Sequence, residues 1–560
     1  MTNFRIRPLT SLAKVFPDEY PSYMESTSLT ALKNEDCAFQ VAFSGEYDNS
    51  RIQAFHDGSR AHAYRIEVES DLECVPYIVE TTPSDLPAYP DHDPYILRDT
   101  PGLYPDLLRP ITSESDIFTP VGQWRSVWVS LPGMKTPGRH RVTVRFWRTT
   151  GLLVGEVTVT VDIVDAELPR QELLHTSWFH TDCLCNWYRM EPMSEEYWRI
   201  TENFARSARE HGVNLLLTPL FTPPLDTLEG RERRTVQLVD VTVTKGEYSF
   251  GFEKLTRWIE MCCRVGIEYF EMPHFFTQWG AKHAPKIMAW ADGEYRRIFG
   301  WETDSVGEEY YAFLKAFAAA LIPYLERMGI SDKCILHVSD EPGMPDYGRY
   351  SRCAAIVREL FPGFRVIDAL SELEFYETGL IECPVPKTPA VEKFIAAGVP
   401  RAWGYYCCSQ YKLVSNRLFC MPMARTRILG MQMYKFDLEG FLQWGFNFWN
   451  SCGSVRPIDP FRISDLGCIS PSGDAYVVYP GEDGEPLLSL RLKAFNEGLN
   501  DLRALRLLES LIGREKTLRL LEKGLDKPLT FTEYPRTEEW LLNKREEINR
   551  AIRRALTSKA

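Results

Sequence analysis

The stretch Cys334-Ile335-Leu336-His337-Val338-Ser339-Asp340-Glu341-Pro342-Gly343 decides how the chain is read. Its apolar run has the length of a buried strand, and it stops at two adjacent carboxylates because Pro342 has no amide to give to a ladder and Gly343 favours a turn. Asp340 and Glu341 therefore stand at a strand end. In an alternating strand-and-helix barrel that is where functional groups are mounted, on the open face formed by the loops leaving the strands. Adjacent carboxylates also drive their two pKa values apart. Asp-Glu-Pro by itself is more often a plain turn, so the surroundings have to decide.

Outward from this stretch, apolar runs alternate with helical patterns. Runs at 174–180, 213–217, 267–272, 334–338, 364–370, 380–385, 402–407 and 440–449 predict eight strands. Between the third and fourth, Tyr310, Phe313, Leu314, Phe317, Leu321, Tyr324 and Met328 recur on one helical face that stops at Gly329. Eight strands with intervening helices predict a (β/α)8 barrel over 169–470. An alternating insertion at 236–250, turning at Lys245-Gly246, predicts a hairpin over its open face.

Residues 1–168 read instead as short β-branched and aromatic runs, among them 37–43, 64–68, 127–131 and 140–146, and predict a β-sandwich. The run 140–146 continues through Thr149-Thr150-Gly151 into 156–164 as a hairpin. A proline-rich stretch from 83 to 120 lacks periodicity and is too long for a plain connection, so it is expected to reach toward a site. Residues 471–560 are mainly helical, with Leu490, Leu492, Phe495, Leu499, Leu502, Leu505 and Leu508 at helical spacing. The expected whole is multidomain: sandwich, barrel and C-terminal extension.

The 560 residues carry a net charge of -13, which argues against a nucleic-acid or anionic-membrane partner. A composition 44% hydrophobic and 25% charged is that of a globular chain. The first twenty residues lack the apolar core of a signal peptide, and no run of about 18 apolar residues spans a bilayer, so the expected compartment is the cytoplasm. Fourteen cysteines without a framework fit reduced thiols. His180, Asp182, Cys183 and Cys185 invite a metal reading, but without a second ligand pair at zinc spacing no metal or other cofactor is expected.

If Glu341 is a general acid, a retaining glycosidase needs a second carboxylate about 5 Å away. Many barrels draw it from the seventh strand, yet residues 393–436 contain no Asp or Glu. The remaining candidate is Asp340, which suits a reaction in which the substrate's own 2-acetamido oxygen attacks and a carboxylate orients the amide. Aromatic rings at predicted strand ends, Trp178, Trp279, Trp403, Tyr405, Trp444 and Trp449, fit stacking on a pyranose, although each also fits core packing. Glu271 or Glu372 as nucleophile toward sugars lacking the acetamide, and a non-catalytic carbohydrate-binding protein, are the alternatives.

The chain resembles glycoside hydrolase family 123 and the related DUF4091 proteins. The matching pieces are Pro101-Gly102-Leu103-Tyr104-Pro105-Asp106, Val127-Trp128-Val129, 336–342, Asn416, Arg427 with Tyr434-Lys435, 440–449 and 491–501. The resemblance implies a retaining, exo-acting β-N-acetylgalactosaminidase-like enzyme with Glu341 as acid/base and Asp340 stabilising the acetamido group. It puts Asn416, Tyr405 and Trp444 among the sugar-binding positions, and Asn447, in the same stretch as Trp444, is taken with them. The expected partner is an oligosaccharide or glycoconjugate substrate; the oligomeric state is left open.

Overall fold

The structure is a computed structural model and describes residues 4–45, 63–120 and 122–558. Its N-terminal part holds two β-sheets. One has seven strands in the order Phe4–Thr10, Cys37–Gly45, Arg125–Leu131, Val75–Ser84, Gly102–Pro110, Pro486–Ser489 and Tyr479–Pro480. The other has five, with Gly138–Arg148 and Leu153–Glu167 as its central antiparallel pair. Alternation supplies the core: Val142, Val144, Phe146, Val159, Val161 and Ile163 point inward with Phe39, Val41 and Phe43 of the other sheet. Each such side chain contributes about 1.5–3 kcal/mol by leaving water.

The proline-rich stretch is not all loop. Gly102–Pro110 is a strand between Val75–Ser84 and Pro486–Ser489, hidden in the sequence because Pro105 and Asp106 interrupt its alternation. The register slips there, Glu80 facing Leu107 and Thr81 facing Pro105, which leaves Asp106 as an unpaired bulge residue. Its fully buried carboxylate accepts from Arg491 Nε and Nη2, both at 2.8 Å, and from the Tyr479 hydroxyl at 2.6 Å. The bulge thus clamps the N-terminal sheet to the helix Leu490–Ile512.

Eight parallel strands follow in chain order: β1 Leu174–Ser177, β2 Leu215–Leu217, β3 Tyr269–Glu271, β4 Cys334–Leu336, β5 Arg365–Ala369, β6 Cys383–Val385, β7 Trp403–Tyr405 and β8 Gly440–Gln443. β2 to β6 form a five-stranded half-barrel, and β1, β8 and β7 a three-stranded sheet. Between the two sheets the Asn214 amide donates to the His175 carbonyl at 3.1 Å, and Tyr405 pairs in parallel with Lys387. One apolar cluster draws on both, with Leu174, Leu217, Ile335, Ile367, Val385, Tyr405 and Leu442.

The helix Glu308–Met328 buries Tyr310, Phe313, Leu314, Phe317 and Leu321 and ends on Gly329 in the left-handed conformation. The hairpin Asp240–Thr244 and Glu247–Gly251 lies on this helix, Tyr248 and Phe250 packing against Phe313, and not over the open face as its position in the sequence suggests. A second hairpin, Ile287–Ala291 and Glu294–Phe299, extends it to four strands. Its turn, Asp292-Gly293, is the sequence signal that marks it.

Candidate active site

β3, β4 and β5 end in a buried charged layer. Glu271 accepts from the Thr176 hydroxyl, from the Trp178 indole N–H at 2.8 Å and from His337 Nε2 at 2.7 Å. Asp368 accepts from His337 Nδ1 at 3.2 Å, from the Val338 and Ser339 amides and from the Tyr350 hydroxyl at 2.6 Å. Burial pulls the His337 pKa down, but Asp368 and Glu271 together outweigh it and push it up to about 9. His337 is therefore an imidazolium between two carboxylates. His274, stacked on it at 4.3 Å, is held neutral by burial.

This layer fixes what lies above it. By holding the Val338 and Ser339 amides, Asp368 sets the direction in which the chain leaves β4. Glu341 then takes a left-handed conformation, φ 45°, which a side chain of its size rarely adopts. Its amide donates to the Ala369 carbonyl at 3.0 Å, and the Trp279 amide donates to the Asp340 carbonyl at 2.9 Å, so two neighbouring loops hold the turn.

A cavity of about 200 Å³ opens over these residues. Asp340 and Glu341 line it with Trp178, Trp279, Tyr405 and Trp444. Glu341 is exposed, and its Oε1 accepts from the Tyr405 hydroxyl at 2.6 Å. Asp340 is more enclosed; burial first, and then the charge of Glu341, raise its carboxyl well above the usual range. Two further carboxylates reach the cavity, Asp226 and Asp474, each raised to about 6 by burial. Asp474 Oδ2 accepts from the Trp444 indole and from the Cys408 amide, both at 2.9 Å, which fixes the plane of Trp444. Asp226 Oδ2 accepts from the Gly453 amide at 3.2 Å.

Of the six residues expected to bind substrate, Trp279, Tyr405 and Trp444 line the cavity and three do not. Trp403 is wholly buried at the foot of β7, two residues below Tyr405, with its indole N–H on Glu439 at 3.2 Å. Its ring occupies the space that a Cβ at Gly440 would need, 2.2 Å away. Asn416 closes the loop after β7, donating to the Cys407 and Gln410 carbonyls and accepting from the Arg417 amide. Asn447 exchanges hydrogen bonds with the backbone of His180. Both amides are buried and spent within the protein, as Trp449 is within the core.

The alternative nucleophiles fare no better. Glu271 is fully enclosed with three donors on it, and Glu372 lies outside the cavity wall. Asp182 pairs with Arg233, which also donates to His180 Nδ1 at 3.0 Å, so two of the four residues that invited a metal reading are held by a guanidinium. Sequence reasoning missed Asp226 and Asp474, which sit in aperiodic loops. It also missed Tyr89, although the 83–120 stretch that carries it was expected to reach a site.

Comparisons with known proteins give the following. A family model described as the glycoside hydrolase 123 catalytic domain matches residues 178–508. Among solved structures, a family 123 glycoside hydrolase from Clostridium perfringens, described for hydrolysis of glycolipid glycans, superposes with a TM-score of 0.74 at 11% identity, covering 99% of this chain and 98% of that one. A putative β-galactosidase from Bacteroides fragilis gives 0.32 at 8% identity over 87% and 60%, and a Bacteroides uniformis β-glucuronidase 0.29 at 11% over 90% and 51%. No curated protein matches the chain by sequence.

Proposed function

The chain belongs to glycoside hydrolase family 123, and from that premise we propose that it releases a terminal β-linked N-acetylhexosamine, N-acetylgalactosamine favoured, with retention and with the sugar's acetamide as nucleophile. The observation that carries this reading is the contrast within one adjacent pair. Glu341 is exposed at the cavity and steadied by Tyr405, while Asp340 beside it is enclosed with its carboxyl raised by burial.

Burial favours the protonated form of Asp340. An acetamide N–H donated to Asp340 stabilises its ionised form, and the proton then belongs on Glu341, where the leaving oxygen needs it. Ionised Asp340 orients the amide so that its carbonyl oxygen attacks the anomeric carbon, and it offsets the positive charge of the oxazolinium-like intermediate. Glu341 then deprotonates the water that opens this intermediate. Trp178, Trp279 and Trp444 supply flat apolar walls for the ring.

The architecture that goes with this reading is a (β/α)8 barrel over 169–470 made of the two parallel sheets, braced by a β-sandwich at 1–168 and a helical extension at 471–560. No helix among the described residues is long and apolar enough to cross a membrane, and the fourteen cysteines are free. We assign the cytoplasm.

A second reading, a glycosidase on sugars without the acetamide, is favoured by Asp226, which lines the cavity and among the described residues takes one amide on its carboxylate. Paired aryl β-glycosides with and without the 2-acetamido group decide between them. Cleavage confined to the acetamido sugars, retained in Asp226→Asn and lost in Glu341→Gln, supports the first. Cleavage of plain sugars that is lost in Asp226→Asn supports the second.

A further inference from the structure

Three thiols, those of Cys407, Cys408 and Cys452, line the same cavity as the carboxylate pair, and none is in a disulfide. Cys407 and Cys408 are neighbours in the turn that follows β7, and both are partly exposed. The Gln410 amide closes this turn on the Cys407 carbonyl at 3.1 Å, and the Cys407 amide donates to Gln410 Oε1 at 2.7 Å. The Cys407 Sγ lies 3.1 Å from the Ser409 hydroxyl. The Cys408 amide donates to Asp474 Oδ2, the oxygen that also holds the Trp444 indole. The backbone of the thiol pair is therefore one hydrogen bond from a cavity wall.

We propose that Cys407 and Cys408 are a modification site within the cavity, converted by hydrogen peroxide to a vicinal disulfide that weakens sugar binding; the effect on sugar rests on the function proposed above. The chemistry balances. The thiolate of Cys408 attacks a peroxide oxygen, because the neighbouring thiol and burial push the Cys407 thiol well above its ordinary range; the O–O bond breaks and the departing hydroxide takes a proton to leave as water, giving a sulfenic acid. The neighbouring thiol, giving up its proton, attacks that sulfur, and the S–O bond breaks with loss of a second water. Two thiols have then supplied the two electrons that reduce one peroxide.

Neighbouring Cα atoms are held about 3.8 Å apart by a trans peptide, below the range of roughly 4.4–6.8 Å in ordinary disulfides. The closed ring is accordingly strained and easily reduced, which makes the modification reversible. The strain falls on the 407–408 peptide and the turn that carries it. As the Cys408 amide turns, it leaves Asp474, and the oxygen that anchors the Trp444 indole loses one of its two donors, which loosens the plane of that ring. Cys452 shares the cavity but is not a sequence neighbour, so it serves as an internal control.

The test treats the full chain with hydrogen peroxide, alkylates the remaining thiols and weighs the tryptic peptide 402–412. The expected peptide is lighter by two hydrogens, carries no alkyl group and regains both alkylation sites after dithiothreitol. In parallel kcat/KM on an aryl 2-acetamido-β-glycoside falls roughly tenfold through KM, the scale of one lost hydrogen bond to a charged group, and recovers on reduction. Cys408→Ser, measured against its own untreated rate, resists the oxidant. A bridge to Cys452, a sulfinic or sulfonic acid on a single cysteine, or a vicinal bridge that leaves KM unmoved overturns the proposal. The mass reading needs no turnover, so a chain that forms the bridge but cleaves and binds no sugar refutes the function proposed above, not the modification site.

Discussion

Two acidic pairs sit one layer apart at the ends of three neighbouring strands, Glu271 and Asp368 on β3 and β5 and Asp340 and Glu341 after β4, and they differ in what reaches them. Glu271 and Asp368, below, accept from hydroxyls, an indole, backbone amides and a shared imidazolium. Asp340 and Glu341, above, face a cavity, and the one side-chain donor on them among the described residues is the Tyr405 hydroxyl. Acids whose lone pairs are filled by the protein hold a structure together; acids left unfilled are available to a ligand. By this criterion His337 belongs with the lower pair. Its single charge is shared between Glu271 and Asp368, and through them it anchors Trp178 and the chain entering Asp340.

The comparison is most readily broken by exchanging charge for amide in each layer. Glu341→Gln is expected to lower kcat/KM on poor leaving groups by about 10²- to 10⁴-fold, the contribution of general acid catalysis, with the melting temperature unchanged. Glu271→Gln is expected to do the reverse, costing about 3–5 kcal/mol of stability in denaturant titration because it breaks a buried ion pair. Equal activity losses at unchanged stability in both variants would erase the distinction between the layers.

The lower layer also leaves a pH signature. His337 has its folded pKa raised to about 9 from an ordinary 6.5, so its contribution is fully present below about 6.5 and is lost as pH rises through 9. Roughly 3 kcal/mol is at stake, and it is absent from the stability profile of His337→Gln. In the upper layer, Tyr405→Phe removes the hydroxyl on Glu341 and is expected to lower kcat by about tenfold. The smallest contrast is between two tryptophans. Trp444→Phe, which loses the bond to Asp474, raises KM several-fold, whereas Trp403→Phe alters stability and leaves KM in place.

The strand ends were legible because Pro342-Gly343 cannot continue the apolar run before them, and all eight apolar runs form parallel strands in chain order. Trp403 was misplaced for a reason of scale. β7 has three residues at about 3.3 Å each, so its first and last side chains share a face but lie at opposite ends of the strand. Asn416 and Asn447 were misplaced because an amide satisfied by backbone and one free for a sugar have the same sequence. Asp226 and Asp474 reach the cavity from loops without periodicity, and no local pattern carries that information. The strand 102–110 was obscured by the same Pro105-Asp106 pair that makes its bulge useful.

The claim that the substrate supplies its own nucleophile is tested most directly by aryl 2-acetamido-β-galactosides carrying none, one, two or three fluorines on the acetyl group. Each fluorine draws electron density from the amide oxygen while changing its size little. If that oxygen attacks the anomeric carbon, log kcat/KM falls steeply and steadily along the series. A flat series would mean that the acetamide is only bound, and that a protein carboxylate, Asp226 first among those lining the cavity, is the nucleophile.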